Sequence, residues 1–128
     1  MKSDQFLARV RQLGDYPDSA QAEQVSTVVL GELGARLSGG ERDNLAAQLP
    51  AELAPALTES SQPGGRYGVE EFVHRVGQRL GTADETARWD ASAVLSTVSQ
   101  AVSGGELNDV LSQLPAGYAA LFGKPDLA

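Results

Sequence analysis

Ser38-Gly39-Gly40-Glu41, followed by Gln48-Leu49-Pro50-Ala51, returns 65 positions later as Ser103-Gly104-Gly105-Glu106, followed by Gln113-Leu114-Pro115-Ala116. A signature carried twice in register makes the chain two copies of one unit, so whatever fold satisfies one copy must satisfy both. The same offset pairs Ala22 with Ala87, Val29-Leu30 with Val94-Leu95, Leu37 with Val102 and Leu57 with Phe122. Upstream, Phe6, Arg9, Val10 and Gln12 match Phe72, Arg75, Val76 and Gln78 at an offset of 66. One residue is therefore gained or lost between Gln12 and Ala22, in what reads as a surface turn, the place where a fold tolerates a change of length.

Each unit reads as helical throughout. Phe6, Val10 and Leu13, and in the second copy Phe72, Val76 and Leu80, recur at helical spacing, the first set behind a Ser3 cap. A longer helix follows, expected over 19–37 and 85–102, with Ala22, Val25, Val29, Leu33 and Leu37 on one stripe, answered by Ala87, Val94, Val98 and Val102. Ser-x-x-Glu before a third helical run is the pattern of a capping box. The serine hydroxyl accepts from the backbone N–H three residues on, and the glutamate reaches back to the serine N–H. The adjacent glycines permit a sharp change of direction out of the long helix. Pro50 and Pro115 end the third helix and are placed to start a short fourth one, carrying Leu53 and Leu57 or Tyr118 and Phe122.

The expected architecture is all-α. Two tandem units, 1–57 and 69–123, each have three main helices and a short fourth, packed as a pseudo-twofold bundle with the long helices central. A Ser/Gly/Pro-rich linker over 58–68 joins them, and 124–128 is a fraying tail. A unit of this size is near the lower limit for an independent core, and no cysteine is present to staple it, so the halves are expected to share one core.

The chain carries a net charge of −7 with acid and base spread evenly, and no two Lys or Arg are adjacent. Nucleic-acid binding needs clustered cations to neutralise phosphates, and anionic membranes attract polybasic segments, so neither is an expected partner. No run approaches the length of a membrane span, and the start of the chain lacks a signal-peptide hydrophobic region. The expectation is a cytoplasmic protein.

Taken together, the helix beginning at Phe6, the second containing Val28-Val29-Leu30, the element Leu37-Ser38-Gly39-Gly40-Glu41 and the element Ala47-Gln48-Leu49-Pro50 resemble, with their repeats, the bacterial domain of unknown function 2267 family. The resemblance spans nearly the whole chain. It implies an all-helical, prokaryotic, cytoplasmic protein and carries no catalytic residues.

No catalytic, cofactor-binding or metal site is expected. The Gly-Gly pairs lack the lysine and spacing of a phosphate loop. His74 is the only histidine and reads as a surface residue, and no Gly-x-Ser-x-Gly elbow accompanies it. Asp90 stands where copy one has Val25; if buried it should meet Arg75, Arg79 or Arg88, and otherwise it sits at the edge of the stripe. Trp89, opposite Gln24 in copy one, lies off the stripe beside Ser92, Ser96 and Ser99, where copy one has Thr27, Gly31 and Gly34. Glycines inside a helix cost roughly 1 kcal/mol each, so close approach of another helix, from within the fold or from a partner, is expected on that face. Trp89 either anchors a contact there or packs inside.

These residues motivate two functional readings. The leading one is a non-enzymatic protein–protein interaction or self-association module using Trp89, Ser92, Ser96, Gly31 and Gly34. The alternative is a small-molecule binder or enzyme in the cleft between the units, with His74, Arg75 and Asp90 as its polar groups.

Overall fold

A computed structural model of the chain describes residues 1–59 and 67–124. Among these the regular secondary structure is all helical: α1 (Ser3–Gly14), α2 (Ser19–Arg36), α3 (Gly39–Gln48), α4 (Ala54–Thr58), α5 (Val69–Leu80), α6 (Asp84–Ala101), α7 (Gly104–Ser112) and α8 (Tyr118–Leu121). The central part of the expected linker, 60–66, and the last four residues of the expected tail lie outside the described residues.

α1 buries Phe6 and Val10, as the spacing requires. Ser3 is its first helical residue rather than its cap; the Lys2 backbone N–H donates to the Gln5 side chain at 3.0 Å, which ties the first turn instead. Asp18 caps α2 by accepting from the Gln21 N–H at 2.9 Å. The third helices start at Ser38 and Ser103, whose hydroxyls accept from the Glu41 and Glu106 N–H groups at 3.4 and 3.1 Å. α3 ends ahead of Pro50, but this proline does not start the next helix. The carbonyl of Pro50 accepts from Leu53 and Ala54 in a turn, and Pro55 occupies the first turn of α4. Its second-copy counterpart begins after Gly117, at φ 101°.

The long helices α2 and α6 touch each other and are flanked on several sides. α1 packs on both, and so does α5; α4 covers α2, α8 covers α6, and α3 meets α4 and α7. The helices of residues 1–59 and 67–124 therefore interleave around one core, with Phe6, Val10, Val29, Leu33, Phe72, Val76, Val94 and Val98 fully buried. Burying side chains of this size is the main stabilising contribution, ~1.5–3 kcal/mol each.

The glycines of α2 and those at the signature behave differently. A Cβ on Gly34 would stand 2.1 Å from the Leu57 carbonyl oxygen, because α4 lies directly against α2 there. Gly39, Gly40, Gly104 and Gly105 have open space and none uses a positive φ, so the change of direction at the signature does not need them. Gly34→Ala is expected to destabilise the protein by about 1–3 kcal/mol, through an overlap that only backbone movement relieves. Gly40→Ala should stabilise it by about 0.5 kcal/mol by restricting the unfolded chain. Urea unfolding of both variants checks the contrast.

Candidate functional site

The two units differ in length where the α1–α2 connection meets the start of α6. α1 ends with Asp15 in the left-handed region at φ 56°, a conformation that Asp tolerates better than most side chains. The chain then folds Tyr16 back over Gly14, close enough that a Cβ on Gly14 would overlap the ring at 2.1 Å. Between the left-handed residue and the next helix cap, copy one has Tyr16 and Pro17, and copy two has Thr82 alone. The extra residue delivers the tyrosine. Its hydroxyl donates to Asp90 Oδ1 at 2.6 Å, both side chains being buried. Next to it the Trp89 indole N–H donates to the Gly14 carbonyl at 3.0 Å, while the residue stays 56% exposed.

Asp90 is thus inside, and its partner is not an arginine. Arg75 pairs with Glu71 at 2.9 Å, Arg79 with Glu32 at 3.1 Å, and Arg88 with Glu70 at 2.6 Å. A neutral O–H satisfies the carboxylate without burying a second charge, which avoids part of the desolvation cost of an interior ion pair. Burial raises the Asp90 pKa above the ordinary carboxylate value, and the Tyr16 hydrogen bond pulls it back down. Burial also raises that of Tyr16, and the bond to Asp90 and its charge add to the effect. A signal for this pairing was present in the sequence: the Val25-to-Asp90 difference and the one-residue length change fall in the same part of the unit.

The other polar candidates do not converge with Asp90. His74 is exposed, its Nδ1 lying 3.0 Å from Asp84 Oδ1. Arg75 lies over the Tyr67 ring, 4.1 Å from its centroid, besides its pairing with Glu71. A surface cavity beside Arg36, Ser38 and Gln113 and another beside Lys2 and Pro50 are lined by none of the three.

The small-residue face is mostly occupied from within the chain. Gly31 and Gly34 are buried, facing Arg79 and the carbonyls of Ala56 and Leu57. These two glycines are therefore withdrawn from any surface, Gly34 by the close approach of α4 and Gly31 by the Arg79 side chain. Ser96 is half-buried, and its hydroxyl donates to the Leu121 carbonyl of α8 at 3.3 Å. Ser92 is half-buried as well, which leaves Trp89 as the exposed member of the set.

The duplicated signature also acts across the units, in a way its sequence does not announce. Gln113 Oε1 accepts from the Ser38 N–H at 3.1 Å, and its Nε2 donates to the Ser38 hydroxyl at 3.1 Å. Reciprocally, Gln48 Oε1 accepts from the Ser103 N–H at 2.7 Å. Each glutamine thus completes the helix cap of the other unit, taking the place expected for the glutamate of the capping box. Glu41 and Glu106 instead turn into the α3–α7 contact, 9% and 8% exposed. The repetition of Gln in both copies was legible; its target was not, because the contact joins residues far apart in the chain.

A family model described as "Uncharacterized conserved protein (DUF2267)" matches residues 3–121. No curated protein matches the chain.

Tyr16→Phe leaves the buried Asp90 carboxylate without its donor. The variant should lose roughly 1–3 kcal/mol of stability and carry Asp90 with a pKa above that of the wild type, as carboxyl-carbon NMR titration will report. Gln113→Ala removes the cross-unit cap and should cost about 1 kcal/mol in urea unfolding, with faster amide exchange at Ser38.

Proposed function

The chain belongs to the DUF2267 family, and from its own surface we propose that it is a non-enzymatic protein–protein interaction or self-association module. The observation that carries this reading is Trp89: a tryptophan 56% exposed and held in place by its own N–H on the Gly14 carbonyl. Large rigid aromatic side chains of this kind anchor protein contacts, since they cover much apolar area while losing little conformational freedom. Below Trp89, the Tyr16–Asp90 bond steadies the loop from which the contact would be made.

The same proposal includes a pseudo-twofold relation between units 1–57 and 69–123. Its support is the exchange of like contacts: α1 packs on α6 as α5 does on α2, and each unit's glutamine caps the other's third helix. It also includes work in a bacterial cytoplasm, in keeping with a cysteine-free acidic chain. The alternative of a small-molecule binder or enzyme calls for His74, Arg75 and Asp90 to converge, whereas each is engaged with a different neighbour.

Trp89→Gln tests the proposal. Sedimentation velocity over a range of concentrations, together with quantitative capture of partners from the native cytoplasm, should show association weakened about tenfold or more. The urea midpoint should fall only by the equivalent of the lost indole hydrogen bond, about 1 kcal/mol. Collapse of the fold with association unchanged would remove the support for the reading.

A further inference from the structure

We propose that Glu41 and Glu106 share one proton across the α3–α7 contact and act as a pH-operated latch between the two Ser-Gly-Gly-Glu helix starts. Both residues are about nine-tenths buried, and both stand in the first turn of their helix. The cross-unit caps hold these turns together on either side, Ser38 to Gln113 and Ser103 to Gln48, so the carboxyl groups have little freedom to separate. Glu41 Oε1 and Glu106 Oε2 have no hydrogen-bond partner among the described residues. Two facing carboxylates cannot both ionise in such a place without strong repulsion, while one proton between them turns repulsion into a hydrogen bond. The single negative charge that remains suits two helix N-termini, whose partial positive charges meet there.

The surrounding charges favour the protonated pair. Besides Glu41, the charge acting on Glu106 is that of Asp109, on its own helix α7. On α3, Asp43 is exposed, and Arg42 directs its guanidinium away, to the Gly34 and Leu37 carbonyls at 2.9 and 3.0 Å. The α4 segment packed on α3, Ala54–Thr58, carries no titratable side chain. At the end of α2, the Arg36 guanidinium lies over the Tyr67 and Tyr118 rings. Glu106 is accordingly pushed up to about 7, first by burial, then by the neighbouring Glu41 carboxyl and the Asp109 charge.

The sign follows from linkage. A carboxyl whose pKa is higher in the folded than in the unfolded protein binds its proton more tightly when folded. Its stabilising effect is therefore present in mild acid and is lost as the pH rises through about 7. Above neutrality the pair becomes two charges, and the α3–α7 contact loosens while the rest of the core is untouched.

Carboxyl-carbon NMR titration of the full chain, with Glu41 and Glu106 assigned, tests the proton directly, and one of the pair should titrate near neutrality. Urea unfolding at mildly acidic and mildly alkaline pH tests the latch, using wild type, Glu41→Gln and Glu106→Gln, whose amides can donate to the remaining carboxylate at either pH. The folding equilibrium constant of the wild type should fall on the order of tenfold more than that of either variant across this range. Two carboxyls titrating in the ordinary range, or parallel stability profiles for wild type and variants, would overturn the proposal. If a variant does not fold, the wild-type titration decides alone.

Discussion

Everything in this fold answers the need to cover two long helices on more than one side. Ten of the 18 residues of α2 are buried, and eight of the 18 residues of α6. A single neighbouring helix shields only a stripe, so a helix buried this widely must be central. That requirement explains why α1 and α5 each span both long helices, and why the short α4 and α8 close the remaining faces. It also explains the glycines of α2. Gly34 admits the backbone of α4 at a distance no side chain would allow, and Gly31 leaves room for the Arg79 guanidinium. The small-residue face that reads in sequence as a candidate surface is thus largely part of the interior packing.

Local asymmetry is superimposed on this frame. One additional residue in the α1–α2 turn carries Tyr16 over Gly14 to Asp90, and the adjacent Trp89 fastens onto the same turn. The aspartate in place of Val25's counterpart is tolerable only because the longer turn brings it a donor. The consequence for function is positional. Trp89 is presented from a braced corner rather than from a loose loop, and a partner would meet a side chain already oriented.

The duplicated signature joins the units as well as delimiting helices. Its serines cap α3 and α7 as the local pattern requires, but its glutamines act at a distance and its glutamates are buried where α3 meets α7. A capping box is a satisfactory solution within one unit, with both groups of the box on neighbouring residues. Once a glutamine from the other unit occupies the serine N–H, the glutamate is released for the α3–α7 contact. The change replaces a hydrogen bond within one unit by contacts between the halves.

The helices, their order and most of the core were legible in the residues themselves, because spacing such as Phe6 to Val10 or Val94 to Val98 determines a buried face from neighbours within a turn or two. The length difference between the copies and the oddity of Asp90 were legible too. Tertiary structure alone decided that Tyr16 and not an arginine answers Asp90, that Arg79 and α4 fill the face of Gly31 and Gly34, that Trp89 remains outside, and that Gln48 and Gln113 exchange caps. The physical reason is the range of the interactions. Propensity, periodicity and capping act over a few residues and are written along the chain, whereas partners 55 to 75 positions apart meet only after the helices have packed.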